Sequence, residues 1–522
     1  MTLKNIFKKY QKLFFYVSIF ILIFIAFLLR IKPALIRPIT FDEVFTLLYL
    51  VDKPDIHSLI LADASVPPLH YLLIKFIANF SMNVIYPRMI SILFSILTLA
   101  IVVVWLRKIS KLLTILVVFF LTFSAFQLFY ASWEAYVYPQ LFLLGTISLY
   151  SLYKSLYDEN ISENKLKIYL IIYVMSSLAA FFTHYAFIWT LLAEFAIIFG
   201  EFFCTKKARK KFNFLIIKFL LVLIVPLFFY LPIFFSLFSP SLNNLLWMEK
   251  PTIFSFGYMS KTLFGLLDFT LNDSLINNGT VLASIFILLF IFACIYFSLS
   301  NKNKIFNETE KKLILYNFIV FIFNLFIPLF FSFFLKSSIY GARTLVIASL
   351  SLTILISVFL LKLIRLNILT AFFVVLFCLF VFFKNAELNQ TQLVTTHRGD
   401  VSKNYVNFFR KNLNPEDSNF NNNFVFLDFS NQDHIAKNYI DTVRRNLTFD
   451  YYWFGYDGQK PLPKYNLINS SNFEAYKRDP FWGIVLVGDP LTMDANIPIV
   501  CGNVTERYGF YGWEPTYIFK CN

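Results

Sequence analysis

Leu13-Phe14-Phe15-Tyr16-Val17-Ser18-Ile19-Phe20-Ile21-Leu22-Ile23-Phe24-Ile25-Ala26-Phe27-Leu28-Leu29 is a seventeen-residue run of apolar or small side chains, preceded by Lys4, Lys8, Lys9 and Lys12 and followed at once by Arg30. A hydrocarbon core roughly 30 Å thick needs about 17–25 such residues in helical form, so this stretch reads as a membrane-spanning anchor. A cleaved signal peptide is the competing reading. The run is long for a signal peptide's apolar region, however, and no small-residue cleavage site follows, so the anchor is expected to stay.

The rest of the 522-residue chain repeats the pattern. It has 58% hydrophobic side chains, 68 Phe and only 15% charged residues, with a mean hydropathy of +0.65. A soluble protein of that composition could not cover its surface, which excludes a cytosolic enzyme, a disordered chain and a collagen. Further spans are expected near 86–106, 112–130, 137–153, 168–184, 187–204, 214–238, 280–299, 313–335, 344–361 and 367–383, eleven in all with the first.

The net charge of +15 is no nucleic-acid signal, because the Lys and Arg sit in short clusters between apolar runs. Alternate connections hold them: Lys4 to Lys12, Arg107/Lys108/Lys111, Lys154/Lys165/Lys167, Lys206 to Lys211, Lys302/Lys304/Lys311/Lys312 and Lys362/Arg365. The short loops around 131–136 and 185–186 carry none. Positive loops stay in the cytoplasm, so the N-terminus is expected inside, and 30–85, 239–279, 336–343 and 384–522 outside. The Lys206 to Lys211 run reads as a solvated cytoplasmic loop in which anionic membrane lipids can add contacts.

Beyond Phe383 the composition changes, with Asn, Asp, Tyr and Gly replacing the Phe/Ile/Leu runs. Short apolar stretches at Phe424-Val425-Phe426-Leu427 and Gly483-Ile484-Val485-Leu486-Val487 read as buried strands. Helices are expected near 399–412 and 432–446. The fold class is therefore a polytopic α-helical membrane module over 1–383, with interfacial helices in a first outer loop over 30–85, and an extracytoplasmic α/β domain over 384–522. Of the five cysteines, Cys204, Cys294 and Cys378 fall in or beside spans as small hydrophobes. Cys501 and Cys521 lie in the outer domain at a spacing a disulfide could close, and both the paired and unpaired readings stand.

No phosphate-binding glycine loop, GxSxG or HExxH is present. Acidic and basic residues near the outer surface are then the candidates. Pro38-Ile39-Thr40-Phe41-Asp42-Glu43-Val44-Phe45 places two carboxylates after a Thr at the start of an amphipathic segment running to Leu50. It reads either as a capped helix start or as a catalytic acid pair. Val66-Pro67-Pro68-Leu69-His70-Tyr71 puts an imidazole and a phenol in the first turn of a helix entered through Pro-Pro, with Tyr86-Pro87-Arg88 after it. Trp133-Glu134-Ala135-Tyr136-Val137-Tyr138 contains the one acid of its loop, and Thr183-His184-Tyr185 sits at the same end of the next pair of spans. Aromatics in these positions also fit an interfacial belt, and His184 alone also fits a satisfied interfacial histidine. Glu194 and Lys218 are isolated polar residues within spans.

Taken in order, Phe41-Asp42-Glu43, Val66-Pro67-Pro68-Leu69-His70-Tyr71-Leu72-Leu73, Arg88 with Ser91, Glu134-Ala135-Tyr136-Val137-Tyr138, Thr183-His184-Tyr185 and Tyr340-Gly341-Ala342-Arg343 form a series. It resembles the GT-C glycosyltransferases of the protein O-mannosyltransferase and lipid A aminoarabinose transferase group over roughly residues 10–410. Each motif is short; their order and placement carry the resemblance. It implies an inverting transferase that moves a sugar from a polyprenyl-phosphate donor to a glycolipid such as lipid A, a glycan or a protein at the outer face of a bacterial inner membrane. Asp42 matches the family's general base and Glu43 follows it in the paired motif. Arg88 and Arg343 match donor-phosphate positions; Glu134 is counted with Asp42 and Glu43 among the catalytic carboxylates and, like His70, falls in a motif lining the cavity, as do Tyr71, Tyr138, His184 and Tyr340. Two places depart from the family pattern. Tyr136-Val137-Tyr138 lacks a basic residue often found there, and Thr344 follows Arg343 where the family often has Tyr; both put donor and acceptor identity in doubt.

The implied chemistry is coherent. A guanidinium in low dielectric favours the developing charge on a leaving phosphate, and one carboxylate suffices for a single inversion. No cofactor is required. Asp42, Glu43 and Glu134 are oxygen ligands compatible with a divalent cation, though their spacing does not demand one. The outer aromatics Tyr451 to Tyr456 and Tyr508 to Trp513 read as domain core or as sugar-stacking surfaces. A flippase for a lipid-linked saccharide and a non-catalytic glycan-binding membrane protein are the alternatives. The first calls for mid-membrane polar sites and an internal repeat, and the second leaves the Asp42-Glu43 and Arg343 motifs unexplained.

Overall fold

The computed structural model describes residues 3–50, 55, 66–124, 127–128, 131–158, 161–204, 224, 306–334 and 345–394, and in the tail 406–407, 410, 424–428, 451, 459, 466–468, 481–486, 504–510 and 516–521. Apart from Ile224, the expected span 214–238 lies outside them, as do the expected span 280–299, the 239–279 loop, Lys218, Tyr340, Arg343 and Cys501.

Eleven α-helices are formed among the described residues: α1 (Leu3–Ile36), α2 (Phe41–Val44), α3 (Leu69–Ala78), α4 (Ile85–Leu106), α5 (Lys111–Phe123), α6 (Val137–Tyr157), α7 (Glu163–Thr183), α8 (Phe187–Cys204), α9 (Glu308–Phe334), α10 (Val346–Leu366) and α11 (Ile368–Val394). Five of them are long and apolar enough to cross a membrane, within α1, α4, α7, α9 and α10. Helices also cover the expected spans at α6, α8 and α11, and α5 covers the first part of the span expected over 112–130.

Two helices outrun their sequence signals. Arg30 does not end α1, which continues to Ile36 through Pro33. Arg30 is buried; its Nε donates to Ser95 Oγ (2.8 Å) and its two terminal nitrogens to the carbonyls of Ala26 (3.0 Å) and Leu121 (3.2 Å). Those acceptors on α1, α4 and α5 satisfy a cation that would otherwise stop a span. At the other end, α11 runs eleven residues past Phe383 to Val394, because Lys384-Asn385-Ala386-Glu387-Leu388 is polar yet helix-compatible.

The chain divides into two compact units. One comprises Met1–Leu35, Ile60–His70 and Arg88–Leu393; the other comprises Ile36–Leu59, Tyr71–Pro87 and Val394–Asn522.

The first unit is the helical module. Its helices α6 and α7 pack most extensively, followed by α9 with α10 and α8 with α9. Bare apolar contact gives no net gain over lipid, so close packing at small residues and buried polar links must hold such helices together. Gly145 on α6 supplies the first, since a Cβ there would meet Ile347 of α10 and lie 3.3 Å from Phe187 Cε2 of α8. Glu194 on α8 supplies the second. It accepts from Ser148 Oγ of α6 (2.7 Å) and Tyr173 OH of α7 (3.1 Å), while Ser148 and Ser177 share a 2.7 Å hydrogen bond. Near the start of α9, Asn307 and Glu310 cap each other reciprocally at 2.8 and 3.0 Å. Glu310 also pairs with Lys362 (2.6 Å) and Arg365 (3.1 Å) of α10.

The second unit contains a five-stranded mixed sheet of β1 (Phe424–Asp428), β2 (Asn466–Ile468), β3 (Phe481–Leu486), β4 (Val504–Phe510) and β5 (Thr516–Cys521), in the order β2-β1-β3-β5-β4. Strands β2 and β3 run parallel to β1, with Phe426 opposite Leu467 and Ile484. Strand β5 is antiparallel to β3 and β4, with a register shift between Val504 and Glu506. Two of these strands cover the apolar stretches singled out in the sequence. Tyr451, one of the aromatics weighed as a sugar-stacking surface, is 1% exposed and its hydroxyl accepts the Val84 backbone N–H at 2.8 Å. It is a core residue joining the tail to the segment before α4.

Candidate functional site

The acid motif belongs to the second unit. Thr40 precedes α2 as its cap: its Oγ1 accepts the Glu43 N–H (3.3 Å) and Glu43 Oε2 accepts the Thr40 N–H (2.9 Å). This reciprocal pair satisfies two orphan donors of the helix start, and it occupies the fully buried Glu43. Asp42 is only half-buried and contributes its backbone carbonyl to Thr46 Oγ1 (2.8 Å). After Val44 the backbone widens into a π-helical turn over Phe45–Leu50, a geometry often met beside functional residues. The capped-start reading of the motif is thus met by Thr40 and Glu43. Tyr71, on α3 of the same unit, is 1% exposed.

The remaining described candidates lie in the first unit, and one segment touches them in turn. Residues 133–140 lead into α6 and form its first turn. Trp133 presents its ring to the Arg88 guanidinium, whose Cζ lies 5.0 Å from the ring centroid. Arg88 Nη1 donates to the Ala34 carbonyl (2.9 Å), and Ala34, Ile92 and Trp133 form a small apolar core beneath it. Cation–π attraction is strongest for a desolvated guanidinium, and Arg88 is 1% exposed. Glu134 follows at 8% exposure, its carbonyl accepting the Tyr136 N–H at 2.8 Å. Gln127, just upstream, donates to Ser349 of α10.

Further along, Gln140 Oε1 lies 3.0 Å from His70 Nδ1, and the Tyr138 ring packs at a tilt against His184 with centroids 5.3 Å apart. His184 caps the C-terminus of α7, and its Nδ1 accepts the Ala186 N–H (3.0 Å). Gln140 was not anticipated: a neutral amide in an otherwise apolar helix start carries no motif. Among the described residues no group of three or more His, Cys, Asp or Glu side chains is placed to hold a metal ion.

Burial lowers both imidazoles from the usual 6.5 to about 4; for His70, hydrogen bonds with Gln140 and the Ala135 backbone oppose the shift in part. Both rings are neutral at neutral pH. Because the folded-state pKa is depressed, their contribution to stability is intact above about pH 6.5 and erodes as pH falls toward 4. In that window only the unfolded chain takes up the protons, at roughly 1.4 kcal/mol per histidine per pH unit. Thermal midpoints of the purified protein in detergent are expected to fall between pH 7 and 5, with a shallower fall in His70→Asn and His184→Asn. Identical slopes in all three proteins would show that these rings do not set the acid response.

The fold defines a class, that of a multi-pass helical membrane protein. Neither a protein-family model nor a curated protein matches the chain. Among solved structures, it is similar to the crystal structure of ArnT from Cupriavidus metallidurans bound to undecaprenyl phosphate, with 12% identity, a TM-score of 0.52 and 98% of each chain covered. It is also similar to ArnT from the same organism in the apo state, with 13% identity, a TM-score of 0.51 and the same coverage. The chain thus has the fold of ArnT over nearly its whole length, in line with the resemblance carried by its motifs.

Proposed function

We propose that the protein is an inverting glycosyltransferase that moves a sugar from a polyprenyl-phosphate carrier to an acceptor hydroxyl at the outer face of a bacterial inner membrane. The observation that carries this reading is the 133–140 segment, which gathers Arg88, His70 and His184 within a fold shared with a protein crystallised on undecaprenyl phosphate.

In the proposed reaction Asp42 accepts the proton of the acceptor hydroxyl as its oxygen bonds to the anomeric carbon. The bond from that carbon to the phosphate oxygen breaks on the opposite side, and its electron pair leaves with the lipid phosphate. Arg88 and Arg343 are assigned to that phosphate, where positive charge in a water-poor site favours the transition state over the ground state. Glu134 is assigned with Asp42 and Glu43 to the catalytic carboxylates, Glu43 supporting Asp42 through the helix cap, and His70, Tyr71, Tyr138, His184 and Tyr340 are assigned to the substrate cavity. The acceptor class is a glycolipid such as lipid A, a glycan or a protein. The reaction needs no cofactor, and chelation is expected to leave the rate unchanged unless a divalent cation joins the carboxylates.

Purified protein in liposomes, given polyprenyl-phosphate-linked sugars and envelope acceptors, is expected to produce a covalently glycosylated product detectable by mass spectrometry. Transbilayer movement of the lipid-linked sugar with no new product would identify a flippase instead, and glycan binding with neither would leave a non-catalytic binder.

The proposed orientation has its own test. A periplasm-active reporter fused after Val394 is expected to be active, and cytoplasmic activity there would show that the number of spans differs from eleven by an odd count.

A further inference from the structure

Four lysines at helix ends of the first unit are matched by carboxylates: Lys154 by Asp158, Lys167 by Glu163, Lys311 by Glu308 and Lys362 by Glu310. The connection between α4 and α5 differs. Arg107 and Lys108 are exposed and Lys111 partly so, and none of the three forms an ion pair among the described residues. Their backbone is ordered. The Arg107 N–H donates to the Val103 carbonyl (3.1 Å), and those of Ile109 (2.9 Å) and Ser110 (3.0 Å) donate to that of Leu106. Ser110 then caps α5.

Two neighbouring helices close this corner. Gln127, just beyond α5, reaches Ser349 near the start of α10, so the two helices run antiparallel. Sixteen residues back from Gln127 is Lys111, and sixteen on from Ser349 is Arg365; at a rise of about 1.5 Å per residue the two come to a similar level. The ring contacts Phe120–Phe377 and Phe123–Phe382 lay α11 parallel to α5, which brings its first residue, Ile368, to that level as well. Arg365 donates one nitrogen to Glu310 (3.1 Å) and its side chain is 47% exposed. Glu310 is shared with Lys362, so this trio keeps one net positive charge. From the same level α11 presents exposed Ile368, Leu369, Phe372 and Phe373.

We propose that the α4–α5 turn together with Arg365 binds the headgroup of an anionic phospholipid, whose acyl chains lie along the exposed apolar start of α11. A phosphodiester supplies the negative charge that these cations lack within the protein. A zwitterionic headgroup brings an ammonium of its own against them, and free phosphate leaves the apolar residues without an occupant. Because the turn is held by its own backbone, binding has little ordering left to accomplish. The inference stands apart from the sugar-transfer reading.

The test uses full-length protein in nanodiscs of phosphatidylcholine containing increasing phosphatidylglycerol, with the retained lipids identified by native mass spectrometry. Wild type is expected to retain phosphatidylglycerol in preference to phosphatidylcholine. Lys108→Gln/Lys111→Gln is expected to weaken that retention about 25-fold, near fivefold for each charge, with the thermal midpoint in pure phosphatidylcholine unchanged. Arg107→Gln/Lys108→Gln is the second variant if the first does not purify. Lys165→Gln/Lys167→Gln removes the same charge from the start of α7 and is expected to retain phosphatidylglycerol as wild type does. Inorganic phosphate is expected not to displace the lipid. Equal losses in the α5 and α7 variants would reduce the effect to diffuse surface attraction and overturn the site. Indifference of the wild type to the headgroup, or displacement by phosphate, would overturn it too.

Discussion

Asp42→Asn is expected to abolish measurable sugar transfer, a loss of about 10²–10⁴-fold if the carboxylate is the general base, while the protein inserts and purifies as before. The structure explains why the substitution should be so selective. The local turn is held by the Asp42 backbone carbonyl, which accepts Thr46 Oγ1 at 2.8 Å, and by the Thr40–Glu43 cap. Asparagine preserves the side chain's shape and leaves those bonds in place. The neighbouring carboxylate supplies the contrast. Glu43→Ala removes the acceptor for the Thr40 N–H and is expected to cost about 0.5–2 kcal/mol of stability, whereas Glu43→Gln keeps an acceptor and should retain most activity. Initial rates and thermal midpoints measured side by side separate the two effects. Transfer at the wild-type rate in Asp42→Asn would remove Asp42 from the base role.

The second large effect is expected at the guanidinium groups. Arg88→Ala and Arg343→Ala should each lower kcat/KM for the lipid-linked donor about 10²–10³-fold, the usual consequence of losing a group that stabilises developing negative charge. Arg88→Lys is not a conservative repair. A lysine keeps the charge, but its ammonium lacks the flat face that stacks on Trp133 and the fork that reaches the Ala34 carbonyl, so only partial recovery is expected. Arg88→Ala also uncovers Trp133, and size-exclusion behaviour must be matched to wild type before its kinetics are read. Unchanged kinetics across a range of donor concentrations in either alanine variant would refute the phosphate assignment.

The membrane module was largely legible in the sequence because bilayer thickness imposes a length on each apolar run, and a run of that length is visible without any knowledge of its neighbours. What escaped was set by partners distant in the chain. Arg30 reads as the end of a span until Ser95 and the Leu121 carbonyl are known to receive it. Gln140 is unremarkable until its oxygen is found on His70, 70 positions away. Thr40 and Glu43 show the opposite case: the spacing of a capping pair is local, and the sequence already offered it as one of two readings. In the tail, β1 and β3 were legible as short apolar stretches bounded by turn residues. The small aromatic cluster beginning at Tyr451 could not be divided between core and sugar platform, since that choice depends on a hydrogen bond to Val84, 367 positions earlier.

The composition of the second unit bears on how the molecule is made. Its two early pieces, Ile36–Leu59 and Tyr71–Pro87, leave the ribosome long before Val394–Asn522, and the Val84–Tyr451 bond cannot close until residue 451 is synthesised. Contacts of such separation are slow to form, and Val84 must wait for Tyr451 through the synthesis of every later helix. Nascent chains stalled before Tyr451 emerges would leave the Val84 N–H without this acceptor, so the second unit is completed late in synthesis.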